Sequence, residues 1–600
     1  MMISLLAAVL LSGAPDVVLR GTLTGEDNQT WRSIAFEVPA GTIRITVDFE
    51  YTARDEHTTI DLGVLGPDGF RGVDGFRGWS GGNKHSFTIS ATDATPSYLA
   101  GPLQPGTWSL LLGIPNIRSA TRAEYTANIR FAGYSDPALR TGPGWYRGDL
   151  HMHTAHSDGS CPSRREKQRV PCPLFLTAKA ASERGLDFIA ITDHNTTSQA
   201  NDIRELQPYF DDLLMIPGRE ITTFHGHANL FGTVAPIDFR VGSPEVPDWN
   251  ALLAQIEHSG GAISINHPVR PSGEQCMGCG WTPPGDVDYG RFQAIEVVNG
   301  QDADTPFSGI PFWEHLLDRG YKLTALGGSD NHDPQQNDSG GIGTPTTVIY
   351  AEELSEGALI AAIRRGRVFI DVAGTRDRAI DVTARADGHM AYMGETLQLQ
   401  RGARVRFTGS VSNVPGGAVE VVIDGRRASV VRNSYINSGS YSFEFTWRAD
   451  GERHWLRVAA RDGSGHLALV GNPIYVAAPA VRPSQPDGSY RGDRTHPLRG
   501  ARRAGLMPRP ARIALGRVSS FRGRWRYTLR YLLCGCAYGA QFPAQHPGSR
   551  GRQPCTWPAD SAGAPCCRRC EPVRRAWTQP AYAAWIGSSG TVWVGSYGSA

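Results

Sequence analysis

The sequence predicts an α/β fold in which a mostly parallel sheet, open or closed into a barrel, lies between two β-sandwich domains. Three observations lead there. Short alternating segments separated by Gly, Pro, Asp and Asn clusters run from Val17 to about Ala132, strands alternate with helical stretches from Trp145 to about Ala373, and the alternating rhythm returns from Arg376 to Ala478. At 600 residues the chain is too long for a single core, because domains run to roughly 150 residues. Its net charge of +2 selects no nucleic-acid or membrane partner.

The first residues, MMISLLAAVLLSGAP, run apolar from Ile3 to Leu11 and pass into the small residues Ser12, Gly13 and Ala14. Residues 1–16 are therefore expected to be an export signal, placing the protein in a periplasm or outside the cell. The alternative is a buried first strand in a cytoplasmic protein. No later segment offers the roughly 20 apolar residues of a spanning helix, so no membrane span is expected. Residues 17–135 read as a β-sandwich through SIAFEV, TIRITVDFEY and TWSLLLGI, with DGFRG occurring twice as a surface loop.

Residues 144–373 carry the alternation of elements, with FIAIT, AISIN, AIEVV and LTALGG as apolar strands and FLTAKAASERG, WNALLAQIEHSG and FWEHLLDRG as helices. In such folds chemistry collects at the C-terminal ends of strands. Residues 376–478 read as an immunoglobulin-like sandwich through RVRFTGSV, AVEVVIDG, YSFEFTW and WLRVAARD. Residues 483–600 lose all periodicity and become Arg-rich and Lys-free, with six Cys including CCRRC. That mixture fits an unstructured or frame-shifted tail better than a basic tail for nucleic acid or anionic membrane, which would also use Lys.

Of the ten cysteines, Cys161, Cys172, Cys276 and Cys279 lie in the central domain. An oxidising compartment would pair them as disulfides. The same C-x10-C and C-x2-C spacing also suits a four-thiolate zinc site, and free thiols are the third reading.

The chemistry concentrates in residues 148–161, GDLHMHTAHSDGSC. Side chains alternate along a strand, so His151 and His153 share a face and can chelate one ion. Asp330 and His332 in LGGSDNHDP repeat the pattern, and other strand ends add Asp193 and His194, Glu220, His225 and His227, and Asn266 and His267. All follow apolar strands and are expected at one mouth of the sheet, which points to a metal site. Asp149 and Asp193 sit one residue from ligand histidines and suit either orientation of an imidazole or capping of a strand end.

The ordered set H-x-H-T-x-x-S-D-G, T-D-H, G-x-E, G-H, N-H-P and S-D-x-H resembles the PHP (polymerase and histidinol phosphatase) family of metal-dependent hydrolases. G-D-L-H-x-H-T and E-I-T-T-x-x-G-H look most like the branch named after carbaryl hydrolase. The resemblance implies a distorted (β/α)7 TIM-like barrel with two to three divalent ions. It implies that His151, His153, Glu220 and Asp330 hold the first ion, that Glu220 bridges to a second completed by His227 and His267, and that Asp158, His194 and His332 hold a third. Asp158 stands where some members use a histidine. His225 could replace His227, with the G-H pairing favouring His227, and His156 matches no ligand position. Mixed imidazole and carboxylate ligation suits Zn, Mn or Fe better than Mg or Ca.

The expected function is a metal-dependent phosphoesterase acting on phosphomonoesters or nucleotides through a metal-bridging hydroxide, with His151, His153, Glu220, Asp330 and His332 as catalytic residues. Arg270 and Arg219 are candidates to bind the substrate's phosphate. The alternatives are hydrolysis of carbamate, carboxylic ester or amide bonds on the same site, and a binding protein with a silent metal site. A nucleic-acid exonuclease has little local support, since the central segment shows no basic run.

Overall fold

The computed structural model describes residues 14–70, 75–82, 84–131, 138–274, 276–336, 340–437 and 439–478, and the backbone of 585–586 and 592–593. Residues 1–13 of the expected export signal, part of the DGFRG repeat and nearly all of the tail lie outside these residues. Among the described residues no helix is long and apolar enough to cross a membrane.

Alternating burial builds two antiparallel four-stranded sheets from the first region. One joins Val17–Thr24, Arg122–Arg130, Arg44–Tyr51 and Ser86–Ser90, and the other joins Thr30–Val38, Gly106–Asn116, Thr59–Leu65 and Phe76–Ser80. Leu23, Phe49, Phe87 and Trp108 share the core of this region.

The central region contains strands β1 (Arg140–Asp149), β2 (Phe188–Ile191), β3 (Leu214–Thr223), β4 (Gly226–Phe231), β5 (Ala262–Ile265), β6 (Ala294–Asn299), β7 (Thr324–Gly328), β8 (Thr346–Leu354) and β9 (Val368–Asp371). Its helices are α1 (Leu174–Glu183), α2 (Gln199–Leu206), α3 (Trp249–Ile256), α4 (Ile310–Asp318) and α5 (Glu356–Arg365). The strand order is β7-β6-β5-β4-β3-β2-β1-β8-β9, continuing through Leu467–Gly471 and His454–Arg461 to Ala418–Ile423. A second sheet orders His389–Tyr392, Ala379–Ala386, Arg404–Ser412 and Ser440–Arg448, and Phe407, Phe445, Val458 and Leu469 from both sheets share one core.

The expectation of an α/β fold with a distorted (β/α)7 barrel is corrected. The described chain is mostly β-sheet, and its five α-helices are eight to ten residues long. A (β/α)7 barrel needs parallel pairing with a helix after each strand, whereas β3 turns directly into antiparallel β4, β4 pairs antiparallel with β5, and β8 pairs antiparallel with both β1 and β9. Among strands β1 to β9, only β1-β2-β3 and β5-β6-β7 are parallel runs. The physical reason is the segment ITTFHGHANLF: its turn at Phe224–Gly226, with Gly226 at φ +126°, closes a hairpin where a parallel connection would need a dozen residues or so.

Asp93 ties the first region to α2. It accepts from Arg44 Nη1 and Nη2 at 3.0 and 2.9 Å and pairs with Arg204. Burial opposes its charge, but Arg204 and then Arg44 outweigh that and lower its pKa. Asp93→Asn is expected to destabilise the protein by about 3 kcal/mol, because two guanidinium groups lose their counter-charge. The wild type should converge on the variant only as pH falls through the depressed carboxyl pKa, below 3.8, since a lowered pKa stabilises above the ordinary value. Thermal melts of both proteins from pH 7 down to pH 3 read this directly.

Candidate metal centre

The ends of six neighbouring strands bring the ligand-type residues together. His151 and His153 follow β1, His194 follows β2, Glu220 lies near the end of β3, His227 near the start of β4, His267 follows β5, and Asp330 and His332 follow β7. Antiparallel β4 reaches the same edge because its start, not its end, adjoins the end of β3. Gly328 lets β7 approach β1, since a Cβ there would collide with Glu296 Oε1 and His151 Cβ. His267 and Asp330 take φ of +25° and +55°, a backbone cost of about 1–3 kcal/mol each that concentrates at functional sites.

Glu220 is the hub. Its buried carboxylate lies 3.4 Å from His151 Nε2, 3.6 Å from His153 Nε2, 2.9 Å from His194 Nδ1, 3.2 Å from His227 Nδ1 and 3.2 Å from His267 Nε2. Asn266 Nδ2 donates to its Oε1 at 2.9 Å and fixes the carboxylate plane. Asp330 Oδ1 stands 3.3 Å from His151 Nε2 and 3.1 Å from His153 Nε2. At the open side, Asp158 Oδ1 lies 3.6 Å from His194 Nε2 and 3.4 Å from His332 Nε2. Four groups in this region could hold a metal ion, their ligand atoms lying within 4.8 Å of one another: His151, His153 and Glu220; His153, Asp158, His194 and His332; His151, His267 and Glu296; and His227, His267 and Cys279.

Hydrogen bonding sets which ring nitrogens are free. His227 Nε2 donates to the Met277 carbonyl at 3.2 Å, His267 Nδ1 to the Cys279 carbonyl at 3.2 Å and His332 Nδ1 to the Asp330 carbonyl at 2.8 Å. A carbonyl only accepts, so in each neutral ring the other nitrogen carries a lone pair. Those lone pairs face carboxylate oxygens, which repel them unless a cation or proton lies between. His151 Nε2 and His227 Nδ1 are moreover buried with no hydrogen-bond partner, a costly state for a polar atom. This donor set fits divalent metal ions.

Without ions the histidines themselves are the counter-charges of the buried carboxylates. Burial opposes ionisation of Glu220 and Asp330, yet the facing histidines, His151 foremost, hold both carboxyls well below the usual range. Burial would lower His194, but Asp158 and Glu220 push it up to about 10. His153 moves the other way: burial dominates and lowers it.

The remaining predicted residues divide. Arg270 reaches the centre, with Nη1 3.6 Å from Asp330 Oδ2 and Nη2 3.1 Å from Asp302. Arg219 points from the opposite face of β3 and donates to the Ala235 carbonyl, burial lowering its pKa to about 10, so its role is to hold the segment after β4. His225 lies beside Gly242, and His227 rather than His225 meets Glu220. His156 is held by Ser198 and Asp202 at 2.7 and 2.9 Å. Asp149 caps strand ends by accepting from the amides of His151, Ser329 and Gly343. Asp193 accepts from the Thr154 amide and hydroxyl and from Ser157 Oγ, ordering the loop after His153.

Sequence reasoning missed Glu296 on β6. Its Oε1 accepts from His151 Nδ1 at 2.9 Å and its Oε2 from the His267 amide at 3.1 Å. The signal was available in AIEVV, because a lone carboxylate in a buried apolar strand needs a partner. Glu296→Gln is expected to weaken metal binding by about 10- to 100-fold, as loss of an outer partner does; chelator competition would measure it. Thr222, missed likewise, bonds His194 Nδ1 through its hydroxyl at 2.6 Å.

No family model matches the chain. It is 31% identical over 127 residues to the uncharacterized protein MJ1587 of Methanocaldococcus jannaschii, an alignment that spans 21% of this chain and 69% of that protein.

Proposed function

This chain belongs to the same family as that archaeal protein, which is itself uncharacterized, and from that premise we propose on the site alone that it is a metal-dependent hydrolase, a phosphoesterase acting on phosphomonoesters or nucleotides. The carrying observation is the set of imidazole lone pairs aimed at Glu220, with two buried nitrogens otherwise unpartnered. His151, His153, Glu220 and Asp330 would hold one ion, Glu220, His227 and His267 a second, and Asp158, His194 and His332 a third. Zn, Mn and Fe suit such mixed ligation. The motif order that resembles PHP hydrolases supports the reading at the level of ligands.

When bound, such ions supply Lewis acidity and bring the pKa of a water molecule towards neutrality. The chain's own residues do the rest. Asn266 and Glu296 keep Glu220 and His151 oriented, and burial of the strand ends excludes bulk water. Arg270, one-third exposed beside Asp330, presents a guanidinium fork to an anionic group at the rim. His332, with Nδ1 tied to the Asp330 carbonyl, directs Nε2 towards Asp158 at the open side, where it would help to hold the third ion.

Arg270 favours a phosphate. Arg270→Ala is expected to raise KM for phosphomonoesters about tenfold, the effect of losing roughly 1.4 kcal/mol of charged hydrogen bonding, and to leave neutral esters nearly unaffected. A second reading, hydrolysis of carbamate, carboxylic ester or amide bonds, is favoured by exposed Phe224 and Met277, which lie on adjoining segments beside His227. Rates on nitrophenyl phosphates against naphthyl carbamates, with and without added metal, test both readings; activity on neither class would sink them.

A further inference from the structure

The segment CMGC, residues 276–279, contains Cys279, whose sulfur is tied up in the disulfide with Cys276 and offers no thiolate to an ion, but the segment touches the ligand histidines twice through its main chain. Its Met277 carbonyl accepts from His227 Nε2 and its Cys279 carbonyl from His267 Nδ1, each at 3.2 Å. These bonds leave Nδ1 of the first ring and Nε2 of the second free to face Glu220 Oε1. Two carbonyls two residues apart thus fix two rings carried by different strands.

The loop can do this only while it is bent. Cys276 and Cys279 close it as a disulfide with Cα atoms 5.6 Å apart, and Gly278 turns it at φ +80° while pressed against the Thr223 carbonyl at the end of β3. Behind it, Gly280 N donates to Ser272 Oγ at 3.0 Å and Trp281 N to the Pro268 carbonyl at 2.8 Å. Anchoring is therefore firm on the Cys279 side. On the other side Gly273 N donates to the Cys276 carbonyl at 3.1 Å, while Met277 is 57% exposed and Cys276 partly exposed, so one main-chain bond and the disulfide together restrain the segment that carries the Met277 carbonyl, and the disulfide is open to reductant at Cys276.

We propose that the Cys276–Cys279 disulfide is a positioning bond for the metal centre: it holds the Met277 and Cys279 carbonyls on His227 and His267, and its reduction weakens metal binding at Glu220, His227 and His267. The proposal rests on the metal-site reading above. Reduction by an external dithiol breaks the sulfur–sulfur bond with two electrons and two protons, leaving two protein thiols and the reductant closed to its own disulfide. The freed loop then gains conformations in which the two carbonyls leave the rings, and each ring can rotate or change tautomer. Outer partners of ligand histidines are worth about 10- to 100-fold in metal affinity.

The test is zinc affinity of the full chain by competition with a chromophoric chelator. It compares oxidised wild type, wild type reduced by a dithiol that is then removed without air, the C276S/C279S variant, and His227→Ala as a control. The expected result is an affinity about 10- to 100-fold lower for one ion in the reduced and C276S/C279S proteins, with an unchanged cooperative melt and recovery when the wild type is reoxidised. Unchanged affinity in both, with an ion lost in His227→Ala, overturns the proposal and leaves the metal site standing. Loss of every ion together with the melt makes the disulfide a fold staple and also overturns it. Absence of zinc from the oxidised wild type removes the metal reading itself, and the proposal with it.

Discussion

Glu220→Gln is expected to lose at least one bound ion per chain and to lower hydrolytic activity by more than about 100-fold, the upper range for loss of a mere outer partner. Five imidazole nitrogens stand within 3.6 Å of this one carboxylate, so among the described residues no other side chain touches as many of the candidate ligands. Glutamine keeps the volume and the Asn266 contact but removes the negative charge. Its amide nitrogen would also present hydrogens where an ion must sit. Metal analysis of the purified variant beside wild type reads the first effect, and a phosphate-ester assay the second. A variant that retains both full metal content and full activity would place the chemistry elsewhere. Glu296→Gln should have the smaller effect, since Glu296 acts on His151 from behind.

Removing the ions is expected to reverse how stability depends on pH. In the chelated protein His194 has its pKa raised from 6.5 to about 10. A raised pKa stabilises fully below the unfolded value, and that contribution is lost as pH rises through the folded one, here between about 6.5 and 10. Glu220 and Asp330, with depressed pKa values, contribute above the ordinary carboxylate range and lose that contribution as pH falls below it. Chelated protein should therefore be most stable in mildly acidic solution. Ions require neutral imidazoles, so protons compete with them and metal stabilisation grows as pH rises through the histidine range. At free metal 100-fold above the dissociation constant, each ion adds about 2.7 kcal/mol. Melts with and without chelator should diverge from pH 6 to pH 9, and curves that stay parallel would contradict this account.

Which residue types meet is legible in the local pattern of the chain. Apolar strands ending in His, Asp or Glu put those groups at the edge of a sheet whatever its wider topology, because a strand's direction and two-residue period are local properties. That is why His151, His153, Glu220, His267 and Asp330 could be named from FIAIT-like runs and their flanking motifs. The expectation of a barrel failed for the same reason: HANLF and TTVIY, which pair antiparallel, are apolar runs like the parallel FIAIT and AIEVV, and only pairing decides between them. The hairpin from β3 to β4 delivers His227 to Glu220 across the strands, a contact no single strand encodes.

The electrostatic detail comes from long-range packing. Arg270 and Arg219 are both sequence candidates; Arg219, one residue before Glu220, faces away by strand alternation, whereas only the loop path after β5 brings Arg270 to Asp330. Glu296, Met277 and Cys279 act through a carboxylate and two main-chain carbonyls that no spacing rule marks. Ligand identity follows from local pattern, because side-chain type is written residue by residue. Ligand orientation is settled only where strands from distant parts of the chain pack, because the groups that fix each imidazole come from segments up to 145 residues away, as Glu296 does for His151.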